Sequence, residues 1–207
     1  MTDQTEIYRD RYVAHLSRVA ALLENLIRDH LRDVPRVDHV SARAKDPEHF
    51  AEKASRLADD GNPKYQAPLT EIQDQIGARV TVFYLDTVEV VSTTLEQYLR
   101  PIEEVVVVPD SSWEFGYFGK HYIMALPQDV VPRDVPTEEV PQFFELQIKT
   151  LFQHAWSEAN HDLGYKGVAA LSNEQQRRLA FASAQAWGAD EAFEVLQEQL
   201  RAGPQAN

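Results

Sequence analysis

Residues 143–166 read FFELQIKTLFQHAWSEANHDLGYK, and the change of periodicity inside this stretch decides the fold class. From Phe143 to Lys149 the period is two: Phe144, Leu146 and Ile148 fall on one face of a strand, and Glu145, Gln147 and Lys149 on the other. From Leu151 onward the period turns helical, and His154, Glu158, His161 and Tyr165, spaced by four, three and four, project from one side of a helix. The polar face of the strand carries an acid, an amide and a cation. Such a face is either the solvent side of an antiparallel sheet or a platform for metal and phosphate. On the helix, the zinc-protease arrangement does not fit, because Ala155 stands where the glutamate directly after the first histidine is required. Its polar side chains are expected instead to support the preceding strand through hydrogen bonds.

Working outward, Ile102 to Val108 and His121 to Leu126 read as further strands, and Ala78 to Tyr84 as another, with Val80 and Val82 alternating against Arg79 and Thr81. Asp86 is expected to cap a helix running to about Leu99, with Val88, Val91 and Leu95 inward. Ile7, Leu16, Val19, Leu23, Ile27 and Leu31 recur at helical spacing, so a long amphipathic helix is expected from Thr5 to about Leu31, closed by Pro35. Asp46-Pro47-Glu48 is a helix start, with a carboxylate cap, proline in the first helical position and an acid in the first turn; a short helix should follow through Leu57. Asp59 to Pro68 is a loop. The expected fold is α/β (α+β), one domain with a mostly β middle flanked by helices.

Composition limits the function. The chain has 207 residues, 43% of them hydrophobic, which is ordinary for a globular protein. Its net charge of −13 disfavours broad attraction to nucleic acid or anionic lipid, so any basic site must be local. With no cysteine there is no disulfide, thiolate metal site or cysteine nucleophile. Met1 to Glu6 is polar and acidic and no apolar run approaches spanning length, so neither a secretory leader nor a membrane partner is expected, and a cytoplasmic location is.

Three local clusters stand out. Arg43 and Lys45 precede the proline-started helix, which carries Lys53, and three cations beside a helix start can hold a polyphosphate. Asp74 precedes Gly77 and the strand bearing Arg79, so a carboxylate and a guanidinium meet at a strand mouth. Gly116-Tyr117 with Gly119 and His121 joins a turn to an aromatic ring and an imidazole, the ring being placed either to stack on a purine or to pack in the core. Alone, each of the two charged clusters is more often solvated surface than a ligand site, and the tyrosine more often packs in the core.

Their order carries a resemblance. Arg43-x-Lys45 with Lys53, Asp74-x-x-Gly77-x-Arg79, Gly116-Tyr117-x-x-x-His121, Glu145-Leu-Gln147-Ile-Lys149-Thr150, and His154-Ala-Trp156-Ser-Glu158-x-x-His161 with Tyr165-Lys166 follow one another as in the synthetase domain of the RelA/SpoT family, above all the small stand-alone alarmone synthetases. The resemblance covers 43–166, the catalytic core of a single synthetase domain expected over 1–207, and leaves uncovered the N-terminal helix in 1–34 and the C-terminal helical segment in 172–201; it implies a mixed β-sheet with flanking helices. It implies an ATP:nucleotide pyrophosphotransferase that moves the diphosphate of ATP to the 3′-hydroxyl of GDP or GTP, with Mg²⁺ as cofactor. By position, Asp74 and Glu145 would hold the metal, Glu145 also acting on the attacking hydroxyl. Arg43, Lys45, Lys53 and Arg79 would bind ATP, and Tyr117, His121, Gln147 and Lys149 the acceptor. His154, Glu158 and His161 would support them.

The chain departs from the family pattern at several positions. His49 replaces a usual serine and Lys149 a usual arginine, and Trp113, Glu114 and Phe115 stand where guanosine-making enzymes tend to carry lysine and asparagine; Phe118-Gly119-Lys120 replaces Arg-Ser-Leu. Two alternatives therefore stay open: a toxic relative that modifies the tRNA 3′ CCA end or an adenosine nucleotide, and a degenerate nucleotide-binding module. A homo-oligomer or a neutralising antitoxin partner is compatible with the resemblance.

Overall fold

The computed structural model describes residues 4–105, 116, 119–166 and 171–202. Strand β5 (Phe143–Thr150) lies at the centre of a five-stranded sheet with order β1-β2-β5-β4-β3. It runs parallel to β2 (Ile76–Val82) and antiparallel to β4 (Lys120–Ala125), so the sheet is mixed as expected. The outer strands, β1 (Val37–Ala44) and β3 (Pro101–Val105), both pair antiparallel. The expected end of β3, Val106 to Val108, lies outside the described residues.

Period-two alternation separates the two faces. Phe144, Leu146 and Ile148 of β5 and Ile76, Val80 and Val82 of β2 are fully buried. Against them pack Val19, Leu23 and Ile27 of α2 (Ser17–His30) and Val91 and Leu95 of α5 (Leu85–Glu96), which form the core. The opposite face is polar. Across it the register sets Arg79 opposite Gln147, and Gln147 opposite His121; one residue pair earlier, Gly77 faces Glu145. Helix α6 (Leu151–Lys166) crosses this face, with Arg79 and Lys149 bonded to its side chains. It starts without a linker because Thr150 and Gln153 form a reciprocal cap: the Thr150 amide donates to Gln153 Oε1 at 2.9 Å and the Gln153 amide to Thr150 Oγ1 at 3.0 Å. Helix α7 (Asn173–Ala202) lays Leu179, Ala182 and Ala186 toward α6 and stacks Phe193 on Phe152.

Several sequence expectations need correction. The N-terminal helix is interrupted: α1 (Gln4–Arg11) and α2 are joined by a π-helical turn, Tyr12–Leu16. Strand β1 was not expected, because its burial pattern leaves only Val40 and Ala44 fully inside and the rest reads as a polar connection. The helix after Asp46, α3 (Pro47–Ala54), stops three residues short of Leu57, although Asp46 caps it as expected by accepting from the Glu48 amide at 2.8 Å. A four-residue helix, α4 (Pro68–Glu71), follows the loop. Asp86 is not the cap of α5; Tyr84 occupies that position, and the Asp86 carboxylate inside the first turn accepts from Thr87 and from Arg201 of α7.

Gly119 leads into β4 where the chain runs against β5. A Cβ there would lie 2.2 Å from the Ile148 carbonyl oxygen and 2.5 Å from Lys149 Cγ. Gly119→Ala is therefore expected to force the strands apart and cost about 1–3 kcal/mol, read as a lowered denaturation midpoint. An unchanged midpoint would show that β4 has room to shift.

Candidate functional site

Asp74 sits just before β2, and its Oδ2 is shared by two ammonium groups, Lys53 Nζ at 2.8 Å and Lys45 Nζ at 3.1 Å. Lys45 follows β1 and Lys53 lies on α3, so three separate segments meet on one oxygen. Burial alone would push the Asp74 carboxyl upward, but the two lysines outweigh it and hold it below the usual carboxylate value. The second oxygen, Oδ1, is buried and without a hydrogen-bond partner. Such an orphan acceptor is rare in a folded protein and suits a ligand.

Glu145 projects from the polar face of β5 as the alternation requires. Its Oε2 accepts from Gln147 Nε2 at 3.1 Å, and its Oε1 lies 3.5 Å from His121 Nδ1. Here too burial raises the carboxyl and its partners, His121 first, more than reverse the effect; the negative charge of Asp74 opposes them. Further along this face, Arg79 Nη1 donates to Glu158 Oε1 at 2.6 Å and stands 3.2 Å from His154 Nδ1, so these helix side chains bond to β2 and not to the preceding strand that they were expected to support. Burial pushes the Lys149 ammonium down to about 8, with Arg79 adding to the effect. That lysine is 4% exposed and donates to Ser157 Oγ at 3.2 Å.

These groups border one cavity of about 620 Å³. Of the residues singled out in the sequence, Arg43, Lys45, Lys53, Asp74, Arg79, Glu145, Gln147 and His161 line it. His121 and Lys149 do not: His121 stands against Glu145, which does, and Lys149 is bonded to Ser157 of α6. His154 and Glu158 hold Arg79 from behind. Tyr117 lies outside the described residues, as do Trp113, Glu114, Phe115 and Phe118. Tyr12 and Arg56 also line the cavity and were not expected there, as do Asp46, expected only as a helix cap, and His49, noted only as a departure from the family pattern. Arg56 stands three residues after Lys53, a helical spacing that would have exposed it; Tyr12 gave no signal, because its position depends on the π-helical turn. Five basic side chains against three acidic ones make the cavity locally positive in a chain of net charge −13.

Among the described residues no group of three or more histidines and acids gathers as a metal site. Asp74 Oδ1 is nevertheless buried and unpartnered, and Asp74 and Glu145 line the same cavity. Two carboxylates with room for phosphate oxygens suit Mg²⁺, which rarely takes a full protein cage. The residues fit that ion.

Residues 42–169 match the family model described as a region found in RelA / SpoT proteins. The chain belongs to the RelA/SpoT family. A RelA/SpoT relative, the GTP pyrophosphokinase YjbM of Bacillus subtilis (strain 168), is 25% identical over 173 residues, covering 80% of this chain and 74% of the relative. The small alarmone synthetase 1 of Bacillus subtilis bound to its product pppGpp superposes with a TM-score of 0.72 at 21% identity, over 92% of this chain and 96% of that one. The same synthetase bound to AMPCPP gives a TM-score of 0.63 at 20% identity, over 95% and 96%. At these identities the solved structures establish the RelA/SpoT fold. Among the described residues, no helix is long and apolar enough to cross a membrane.

Proposed function

We propose that this protein is an ATP-dependent pyrophosphokinase that transfers the β,γ-diphosphate of ATP to the 3′-hydroxyl of GDP or GTP, making an alarmone of the ppGpp type. The observation that carries the reading is one positive cavity in which Asp74, with a free buried oxygen, and Glu145 stand among Arg43, Lys45, Lys53 and Arg56. The named relative and the product bound in the similar synthetase support the same chemistry.

The four basic side chains receive the donor triphosphate; Lys45 and Lys53 exchange part of their contact with Asp74 for phosphate oxygens. Asp74 and Glu145 would hold Mg²⁺, which supplies charge neutralisation on the transferred group. Glu145, ionised and fixed by Gln147 and His121, takes the proton of the acceptor's 3′-hydroxyl. The freed oxygen bonds to the β-phosphorus as the bond from that phosphorus to its α,β-bridging oxygen breaks, and AMP leaves. Arg79, oriented by Glu158 and His154, lies where negative charge on the migrating diphosphate needs compensation.

Labelled ATP with Mg²⁺ and, in parallel, GDP, GTP, an adenosine nucleotide and deacylated tRNA tests the proposal. Label in a 3′-diphosphorylated guanine nucleotide with stoichiometric AMP is the expected result. Label on tRNA or on the adenosine nucleotide instead would replace the acceptor, and calorimetric binding of nucleotide with no transfer to any of them would replace the activity.

Lys149 adds a pH dependence. As it discharges near pH 8, the charge it lends the acceptor side is lost, so kcat/KM for the acceptor should fall above that pH. Lys149→Arg should remove this alkaline limb; an unchanged limb would assign it to another group.

A further inference from the structure

Residues 4–30 lie outside the part of the chain that matches the family model, yet two of their side chains reach the cavity region. Tyr8 on α1 is fully buried. Its ring stacks flat on Phe50 of α3, with centroids 3.8 Å apart and planes within 3°. Its hydroxyl faces two carbonyl oxygens, Lys45 O at 2.8 Å and Gln75 O at 3.3 Å. The Lys45 amide in turn donates to Gln75 O at 2.8 Å, and the Gln75 side chain donates to Leu69 O and Ile72 O, both at 2.9 Å. One phenol thus touches the three segments that deliver Lys53, Lys45 and Asp74. About one helical turn later, Tyr12 opens the π-helical turn and lines the cavity. Ser17 Oγ donates to the Tyr12 carbonyl at 3.3 Å, which helps the wider turn persist. Turns of this kind insert one residue into a helix and re-aim the side chains around it.

We infer that the N-terminal helix is a working part of the donor half of the site, with Tyr8 as a positioning residue for the Lys45–Asp74–Lys53 cluster and Tyr12 as a wall that the donor nucleotide touches. The inference rests on the proposed use of that cavity for ATP. It makes the helix more than a scaffold: removing the Tyr8 hydroxyl leaves its stack on Phe50 and the Lys45–Gln75 backbone bond intact, but takes away the polar tie from α1 to the two backbone segments that carry Lys45 and Asp74. The cost should appear in donor binding and not on the acceptor side, where β4 and β5 supply the groups.

The test uses the full chain and the variants Tyr8→Phe and Tyr12→Ala, with calorimetric titration of a non-hydrolysable ATP analogue in Mg²⁺ and, separately, steady-state KM for the acceptor at saturating ATP. Each variant is expected to raise the analogue Kd about tenfold, the scale of one lost polar or ring contact, with acceptor KM unchanged. A purely structural role for Tyr8 would lower the binding stoichiometry and the melting temperature and leave Kd as in the parent protein; that result in Tyr8→Phe, or an unchanged Kd in Tyr12→Ala, overturns the inference. Should Tyr8→Phe fail to fold, Tyr12→Ala decides alone. A parent protein that binds the analogue but transfers nothing overturns the activity proposed above without touching this inference, since the binding titration is read independently.

Discussion

Glu145→Gln is expected to slow turnover about a thousandfold, in the range for loss of a general base, while leaving the affinity for a non-hydrolysable ATP analogue within a few-fold of the parent. The asymmetry follows from where Glu145 sits. Its carboxylate is held by Gln147 and His121, residues of its own strand and of β4, and not by the lysines that face the donor. Glutamine keeps the shape and can still accept from Gln147, but it cannot take a proton from a hydroxyl. Because the Glu145 carboxyl is held below its ordinary value of 4.5, it is ionised throughout the neutral range, and the acid limb of the pH–rate profile should fall below that value. The same shift has a stability consequence of fixed sign: the contribution is fully present above pH 4.5 and is lost as pH falls through the lowered folded value. Single-turnover kinetics with labelled ATP measure the step directly. A variant that keeps the parent's rate would remove Glu145 from the proton transfer.

The strand that made this residue conspicuous was legible for a simple reason. Strict alternation from Phe144 to Lys149 fixes which side chains share a face, and burial of Phe144, Leu146 and Ile148 leaves Glu145 no choice of side. The helix after it was legible from the spacing of His154 and Glu158, which do meet on Arg79. What alternation does not give is which strands are neighbours. The convergence of Asp74 with Lys45 and Lys53 depends on β1 pairing with β2, and β1 carries too little apolar pattern to be read as a strand at all. The role of Tyr8 was hidden for a related reason: in the sequence it is one aromatic in a polar helix of low amphipathicity, and its partners are backbone carbonyls 37 and 67 residues away. Lys149 looked like a surface cation of the acceptor side, but α6 covers it, which only the packing reveals.

Asp74→Asn should produce three effects that differ in direction. Turnover is expected to fall about a hundred- to a thousandfold, as for removal of one preorganised charge at a transferring group. Stability should also fall. The substitution leaves Lys45 and Lys53 facing each other across a site where each keeps about a quarter of its side-chain surface exposed, at 23% and 24%. A fully buried charge left unpaired costs several kcal/mol, but these lysines can turn toward water, so about 1–2 kcal/mol is expected. The carboxyl of Asp74 lies below its ordinary 3.8, so the stability gap between parent and variant should be constant above that pH and close as pH falls through the lowered value. The third effect separates a clasp from a catalytic group. Without the competing carboxylate, both ammonium groups are available to phosphate, so binding of a non-hydrolysable ATP analogue in the absence of Mg²⁺ should tighten even as turnover collapses. A variant that lost stability but kept its rate would reduce Asp74 to a structural clasp for the lysines. Weaker metal-free binding would mean that the aspartate orients the lysines toward the donor and does not compete with it.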